Sequence, residues 1–315
     1  MTNNKILRPR RVALALALPV MLFGTTTACT SSTPPRAAPA ASSASAAPPA
    51  PEDPTHQASS TPAAGLHMIT HSGRRLAFHV TPGHSPTLVL DAGGGEDSSY
   101  WNALVPQLSR ATGSQIITYD RAGMGASDEV EGPWNPQSAA SDLQAGLQGL
   151  GITRNAVLVA HSQAGEVATY LAHTNPGVLS GAVLVDANVP QFFTDHQTQR
   201  LIALTTPQIE ALKKEPTTKA NRQLIATAQD FGPTHHAYHE MSWPDSVPVT
   251  YIVSDKTPFD GSPQDAQRWR DAAAAFVAAG PHRTLTTARG SSHDVPMDDP
   301  ALVTKEVEKM AATAS

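Results

Sequence analysis

Short apolar runs alternate with longer amphipathic stretches over about the last 250 residues of the chain. Six of the short runs are rich in apolar and β-branched residues, which is typical of parallel strands buried on both faces. They are 87–91, 115–119, 156–160, 181–185, 248–253 and 283–287. A seventh run, 75–81, alternates apolar and polar positions and predicts an antiparallel strand at the edge of the sheet.

Helical stretches lie between these strands, and they predict the layers of the fold. The predicted helices are 100–112, 137–150, 164–174, 264–279 and 300–312, the last with Val303, Val307 and Met310 at helical spacing. Strand and helix in alternation predict an α/β fold, a doubly wound and mostly parallel sheet. Segment 188–245 has helical patches and no strand pattern. It predicts a helical lid inserted before the penultimate strand, over the sheet edge where ligands bind.

The N-terminal 29 residues have a different pattern. They contain four Lys or Arg residues and no acidic residue, and an apolar run covers 12–24. This is the pattern of a secretory signal peptide, and the run is shorter than the roughly 20 residues that a membrane span needs. We therefore expect export, either by the general secretory route or, given Arg10-Arg11, by the twin-arginine route.

The single cysteine of the chain, Cys29, stands where this signal ends. One cysteine excludes an intramolecular disulfide framework and any CxxC metal or redox site. The stretch Thr26-Thr27-Ala28-Cys29 resembles the lipobox of bacterial lipoproteins. That resemblance implies lipidation of Cys29 and a lipid anchor at the outer face of the cell membrane. The alternative is cleavage after Ala28, which would leave a free thiol on a secreted protein.

Residues 30–64 are mostly Ala, Pro, Ser and Thr, 30 residues out of 35. They predict a disordered tether, because such a segment cannot bury enough apolar surface to fold. A globular domain is then expected over 65–315. The chain has a net charge of −5, and loss of the four cations of 1–29 makes it −9. This acidity argues against nucleic acid as a partner.

One strand–helix junction suggests nucleophilic chemistry. The strand 156–160 runs through His161 into Ser162, and a predicted helix follows. This is the context of a nucleophile elbow, G-x-S-x-G, with Ala160 and Ala164 in both glycine positions. The alternative is an ordinary junction in which the serine caps the helix.

The loops after other strands add candidate groups. The triple glycine 93–95 exposes backbone N–H groups of the kind that an oxyanion hole requires. It does not fit a phosphate-binding or dinucleotide-binding loop, because no GK[ST] follows and Ser98 takes the third glycine position. His293 follows the last strand, where it could reach Ser162. Asp120 and Arg121 are predicted to pair with each other and hold the turn after their strand.

Two groups of histidines are candidates for other roles. His235 and His239 have the i, i+4 spacing of a metal-binding pair but lack the HExxH order, so we predict a polar face of the lid. His161 is predicted to pack or hydrogen-bond locally. No metal and no organic cofactor is implied.

Five stretches together resemble the α/β-hydrolase superfamily: VLDAGGGEDSSYW, ITYDRAGMGASD, VLVAHSQAGEVATYLA, GAVLVDANVP and GSSHDVPMDDP. The resemblance covers residues 66–312. It implies that Ser162 is the nucleophile and His293 the general base. It also implies that the backbone N–H groups of Gly93 and Gln163 form the oxyanion hole.

The acid of the triad is less well defined by this resemblance. Most families of the fold place it after the penultimate strand, where Thr257 stands here. A minority use a carboxylate one strand earlier, and Asp186 occupies that position. Asp186 is therefore the first candidate, with Asp255 as the alternative and Asp260 as a further one, since each keeps the order Ser, acid, His.

The resemblance implies a serine hydrolase that cleaves an ester, lactone or amide of a small organic substrate through an acyl-enzyme. Carbon–carbon hydrolases and cofactor-free haloperoxidases use the same triad, so they remain alternatives. A different class of function is also open. The chain could be a non-catalytic ligand-binding lipoprotein on a hydrolase scaffold.

Overall fold

The computed structural model describes residues 62–259 and 261–314. The predicted signal peptide, Cys29, nearly all of the predicted tether and Asp260 lie outside these ranges, so export and lipidation stay predictions. Within the described ranges, no helix has the length and apolarity needed to cross a membrane.

Eight strands form one sheet in the order β1-β2-β4-β3-β5-β6-β7-β8. β1 and β2 run antiparallel to their neighbours, and the pairs from β4 to β8 are parallel. The strands are β1 Gly65–His71, β2 Arg74–Thr81, β3 His84–Asp91, β4 Ser114–Asp120, β5 Ala156–His161, β6 Leu179–Val185, β7 Val249–Lys256 and β8 Arg283–Ser292. The predicted fold class, a doubly wound and mostly parallel sheet, is confirmed.

The predicted edge strand is an inner strand. β2 pairs with β1 on one side and with β4 on the other, so β1 is the edge strand at this end of the sheet, and β8 is the edge strand at the other end. The alternation of β2 is real, but β1 carries no apolar run that could reveal it. Its side chains are largely exposed, with Leu66 54% and Met68 38% accessible.

Helices cover both faces of the sheet. They are α1 Val105–Thr112, α2 Pro136–Gly149, α3 Ala164–Thr174, α4 Asp195–Lys214, α5 Lys219–Gln229, α6 Phe231–His239, α7 Pro263–Ala278, α8 Val295–Asp298 and α9 Pro300–Thr313. Buried side chains of α2, α3 and α7 form one core, and those of α1 and α9 form the other. Val303, Val307 and Met310 are buried in the second core, as their spacing predicts.

The predicted helix 100–112 is divided in two. A 3-10 turn covers Ser98–Trp101, and α1 begins only at Val105. Pro106 accounts for the position of this start, because proline lacks an N–H group and fits only the first turn of a helix. The break leaves Tyr100 and Trp101 on the turn that follows the triple glycine.

The segment between β6 and β7 contains three α-helices, α4 to α6, and no strand. Asp265 at the start of α7 holds this segment to the rest of the molecule. Its buried carboxylate accepts hydrogen bonds from Arg200 at 2.8 Å, Gln197 at 3.2 Å and Arg268 at 3.0 Å. Ser262 Oγ also donates to it at 2.5 Å. These bonds, that of Arg200 first, lower the pKa of Asp265 well below its usual value although burial opposes the shift.

Replacing Asp265 by asparagine should lower the free energy of unfolding at pH 7 by about 2 kcal/mol, because charge-assisted hydrogen bonds are lost. The folded-state pKa of Asp265 is lowered, so its stabilisation is complete above the unfolded pKa near 3.9 and is lost as the pH falls further. The difference in unfolding free energy between wild type and variant, measured in urea, should therefore be constant above about pH 4 and shrink steadily as the pH falls below it. Asp271→Asn, on the exposed side of α7, is the control. A difference in unfolding free energy that is the same at every pH would contradict a stabilising role for the charge of Asp265.

Candidate active site

The chain turns sharply at Ser162, between β5 and α3. Ser162 has a φ of +55°, which is uncommon for a residue with a side chain and typical of strained functional turns. Its N–H donates to the carbonyl oxygen of Val185 at 3.3 Å, and its own carbonyl accepts from Gly165 at 3.0 Å and Asn188 at 2.8 Å. Backbone bonds to the β6 connection therefore hold the turn in this conformation.

The two alanines in the glycine positions of the elbow belong to the core. Ala160 and Ala164 are fully buried in the core beneath the turn. The close approach falls one residue later, at Gly165. A Cβ atom built there would lie 2.2 Å from the carbonyl oxygen of Asn188. Gly165, rather than either motif position, is the residue at which this turn requires glycine.

Ser162, His293 and Asp186 lie in one hydrogen-bonded series across the C-terminal edge of the sheet. Ser162 Oγ is 2.8 Å from His293 Nε2, and His293 Nδ1 is 2.7 Å from Asp186 Oδ2. The three residues directly follow β5, β8 and β6. Asp186 can only accept when ionised, so the network assigns the proton of His293 to Nδ1 and leaves Nε2 to accept from the Ser162 hydroxyl.

The Asp186 carboxylate is fully buried, and four donors surround it. Besides His293, it accepts from the N–H of Ser254 at 2.9 Å, the hydroxyl of Ser254 at 2.6 Å and the indole N–H of Trp269 at 2.9 Å. Burial by itself would raise the pKa of Asp186. The hydrogen bonds and the charge of His293, with the bonds from Ser254, outweigh burial and lower it. Asp186 is thus held as an acceptor.

The alternative acid, Asp255, lies apart from this series. Its side chain is exposed, and Oδ2 accepts from the N–H of Gly290 at 3.0 Å. Thr257, at the usual acid position, is buried, and its hydroxyl accepts from the N–H of Phe259. Of the carboxylates considered from the sequence within the described ranges, only Asp186 contacts His293.

The predicted pair of Asp120 and Arg121 does not form. Asp120 accepts from the backbone N–H groups of Ser98 and Ala126, both at 2.8 Å. Arg121 is buried, bonds to Asp91 Oδ1 at 2.7 Å and also donates to the carbonyl groups of Ala92 and Gly93. The guanidinium points back beneath the triple glycine because Asp91 and these carbonyls provide acceptors there. Arg121 therefore shapes the glycine loop, and Asp120 helps to hold its own turn through Ala126.

The backbone N–H of Gly93 already has an acceptor. It donates to Glu96 Oε2 at 3.1 Å, and the same oxygen lies 3.9 Å from His161 Nδ1. Burial alone would lower the pKa of His161, but its interaction with Glu96 outweighs this and raises it. His161 Nε2 bonds to the carbonyl oxygen of His293 at 3.0 Å, which agrees with the local role predicted for it. The Glu96 carboxylate thus accepts a hydrogen bond from one of the two N–H groups that are predicted to bind the oxyanion.

His235 and His239 do not face a common point. His235 contacts the Phe231 carbonyl and Glu166, whereas His239 Nδ1 contacts the carbonyl of Pro190 at 2.8 Å. Over the residues that the structure describes, no group of three or more His, Cys, Asp or Glu side chains could hold a metal ion.

A pocket of about 710 Å³, counting the part open to solvent, opens at Ser162 and His293. Its walls are mainly apolar and come chiefly from the β6 connection, α4 to α6, the loop after β7, and α7. The aromatic wall residues are Phe192, Phe193, Phe231, Phe259 and Trp269. A mainly apolar lining with a few polar groups is typical of sites for small organic ligands.

Comparison with known proteins agrees with this geometry. A sequence model described as the alpha/beta hydrolase family matches residues 88–306, well over half of the chain. The chain belongs to the alpha/beta hydrolase family. A non-heme chloroperoxidase from Streptomyces lividans is 39% identical to this hydrolase over 79 residues, 25% of this chain and 28% of the relative.

Solved structures share the fold of this alpha/beta hydrolase. An esterase from Exiguobacterium antarcticum has a TM-score of 0.59 at 18% identity, covering 79% of this chain and 100% of the esterase. An enol-lactonase from Burkholderia xenovorans has a TM-score of 0.54 at 17% identity, covering 78% and 99%. The chain spans only 15% to 35% of the length of the curated relatives that it matches.

Several site residues of this alpha/beta hydrolase were not found from the sequence. Ser254 and Trp269 bond to Asp186, and Glu96 bonds to Gly93. Glu166 lines the pocket. Glu96 and Glu166 lie in two of the stretches that resemble the superfamily, but those stretches assigned them no role, and Ser254 and Trp269 lie outside all five. Only Glu96 had a signal, a carboxylate directly after the triple glycine.

Proposed function

We propose that this alpha/beta hydrolase is a serine hydrolase that cleaves an ester, lactone or amide of a small organic molecule. The hydrogen-bonded series of Ser162, His293 and Asp186 carries the proposal. Ser162 Oγ attacks the substrate carbonyl while His293 Nε2 takes the hydroxyl proton. Asp186 keeps the proton of His293 on Nδ1 and stabilises the imidazolium that forms. His293 then protonates the leaving group, and water hydrolyses the acyl-enzyme.

The backbone N–H groups of Gly93 and Gln163 are the proposed donors to the oxyanion. Gln163 supports this role by position, since it directly follows the nucleophile at the N-terminus of α3, where N–H groups lack intrahelical acceptors. For Gly93 the role requires the Glu96 carboxylate to yield its place to the substrate oxygen. The Gly93 N–H would then bind the Glu96 carboxylate in the free enzyme and the substrate oxygen during the reaction.

We further propose that α4 to α6 act as the lid of this pocket. Leu201 and Thr205 of α4, Leu224 and Thr227 of α5, and Phe231 of α6 all line it. None of these side chains is charged, and the two leucines and the phenylalanine are apolar, which favours an uncharged substrate of modest size. An ester or lactone meets this condition better than a charged peptide.

A fluorophosphonate probe tests the proposed function on the wild-type protein. We expect one covalent adduct, located on the Ser162 peptide by mass spectrometry, together with hydrolysis of short-chain p-nitrophenyl esters. A protein that gains no adduct and cleaves none of the esters is not a serine hydrolase. That outcome would favour a ligand-binding protein on a hydrolase scaffold.

Replacing Glu96 by glutamine should raise kcat/KM for a neutral ester roughly fivefold. The neutral side chain keeps its size but binds the Gly93 N–H about 1 kcal/mol less tightly than a carboxylate, so the substrate displaces it more easily. The removed charge also no longer opposes the oxyanion. Asp97→Asn, on the same loop and bonded to Ser99, is the matched control. A large loss of activity in Glu96→Gln would show that the carboxylate assists the reaction.

A further inference from the structure

The pocket beside Ser162 contains a second buried carboxylate that the proposed reaction does not use. Glu166 lies on α3, four residues after Ser162, and is 1% exposed. Its Oε1 accepts hydrogen bonds from Asn188 Nδ2 at 2.5 Å and from His235 Nε2 at 3.2 Å. Its Oε2 has no hydrogen-bond partner in the described part of the chain. A buried carboxylate oxygen without a donor is costly to keep.

The neighbouring acceptors determine the charge of the Glu166–His235 pair. His235 Nδ1 is 2.8 Å from the carbonyl oxygen of Phe231, which can only accept, so Nδ1 carries a proton. Nε2 lies 3.2 Å from Glu166 Oε1, and a hydrogen bond between these two atoms needs one proton, which either of them can carry. With that single proton the pair is neutral overall. Glu166 Oε2 is left as an acceptor without a partner among the described residues.

The surroundings of this acceptor are aromatic. The rings of Phe193 and Phe231 lie 4.2 Å and 3.8 Å from the ring of His235. Among the described residues that line the pocket, no lysine or arginine is present. The amide of Gln163 also lines the pocket, but Gln223 and Thr227 already engage it. Glu166 thus brings to the wall of this pocket a carboxylate with one unpaired oxygen.

We propose that Glu166 Oε2 binds a hydroxyl group of the substrate, so that the pocket selects molecules whose apolar or aromatic part carries a hydroxyl. This inference deepens the proposed function, on which it rests for the ester bond. A hydroxyl fits better than an ammonium group, since the Glu166–His235 pair is already neutral overall and a buried ammonium would stay uncompensated. A site that hydrogen-bonds a substrate hydroxyl discriminates strongly against the analogue that lacks it.

Binding to the full-length Ser162→Ala variant tests the proposal without turnover. The ligands are the methyl esters of 3- and 4-hydroxyphenylacetate, each paired with the ester that has methyl in place of the hydroxyl. We expect at least one hydroxyl ester to bind about tenfold tighter than its methyl partner in calorimetry, as for loss of one hydrogen bond to a charged group. A second change, Glu166→Met, should abolish the difference. Glu306→Met, which removes a buried carboxylate of α9, should leave it intact.

Equal binding of both members of every pair would overturn the proposal, and so would tighter binding of the matched aminomethyl esters. If Glu166→Met does not fold, the paired ligands still give the answer in the Ser162→Ala protein, where Glu166 is unchanged. A hydroxyl preference in binding, combined with no hydrolysis by the wild type, would contradict the proposed function alone. Hydrolysis without a hydroxyl preference would contradict only the role of Glu166.

Discussion

Ser162→Ala is expected to lower kcat for ester hydrolysis by about 10⁵-fold or more and to abolish fluorophosphonate labelling. The loss is this large because the serine, the histidine and the carboxylate act as a unit, and without the nucleophile the other two have nothing to activate. The residual rate would come from substrate binding and the oxyanion donors. Initial rates with a p-nitrophenyl ester, extended to long times at high protein concentration, measure it.

Ser114→Ala is the matched control for that experiment. Ser114 is buried like the core around Ser162, but it begins β4 at the opposite end of the sheet, and its hydroxyl has no partner within the described residues. We expect unchanged labelling and rates within about twofold, since no hydrogen bond is lost. Retention of more than a hundredth of the wild-type rate by Ser162→Ala would contradict the role of Ser162 as nucleophile.

The sheet and the strand-end residues could be predicted from the sequence because they depend on local pattern and on one general rule. Buried parallel strands are apolar throughout, and their carboxyl ends meet at one edge. Ser162 and Asp186 directly follow such strands, and His293 follows β8, a largely exposed edge strand that runs parallel to them. The strand assignments and the fold were therefore enough to predict that these three residues lie close together. Asp186 ranked first on family resemblance, and the structure brings it, not Asp255, to His293.

Other contacts depend on where a side chain points, which no local pattern encodes. Arg121 reaches Asp91 rather than its neighbour Asp120, because the loop after β3 offers a buried carboxylate and two carbonyls in one place. Glu96 folds back onto Gly93 in the same way. The edge strand β1 was missed for a different reason, since an exposed strand needs no apolar run. Packing of α4 to α6 around the pocket depends on contacts between distant segments.

Asp186→Asn is expected to lower kcat about 10⁴-fold, and the geometry explains why so small a change should have this effect. Ser254 and Trp269 both donate to Oδ1, so the amide oxygen of asparagine will take that place. The amide nitrogen then faces His293 Nδ1. A donor at that position removes the proton from Nδ1 and forces it to Nε2, where His293 can no longer accept from Ser162. The fold need not change, and a thermal melt of the variant checks that it has not.

Asp255→Asn is the matched change at the alternative acid, and it should alter kcat by no more than about twofold. The asparagine oxygen can still accept from the N–H of Gly290, and this exposed side chain has no contact with His293. Both variants are measured on the same ester, with the concentration of active enzyme set by fluorophosphonate titration over a long incubation. A loss of several orders of magnitude in Asp255→Asn, with Asp186→Asn nearly unchanged, would reverse the assignment. Comparable losses in both would mean that the loop around Gly290 also positions His293, since Asp255 reaches the series only through that loop.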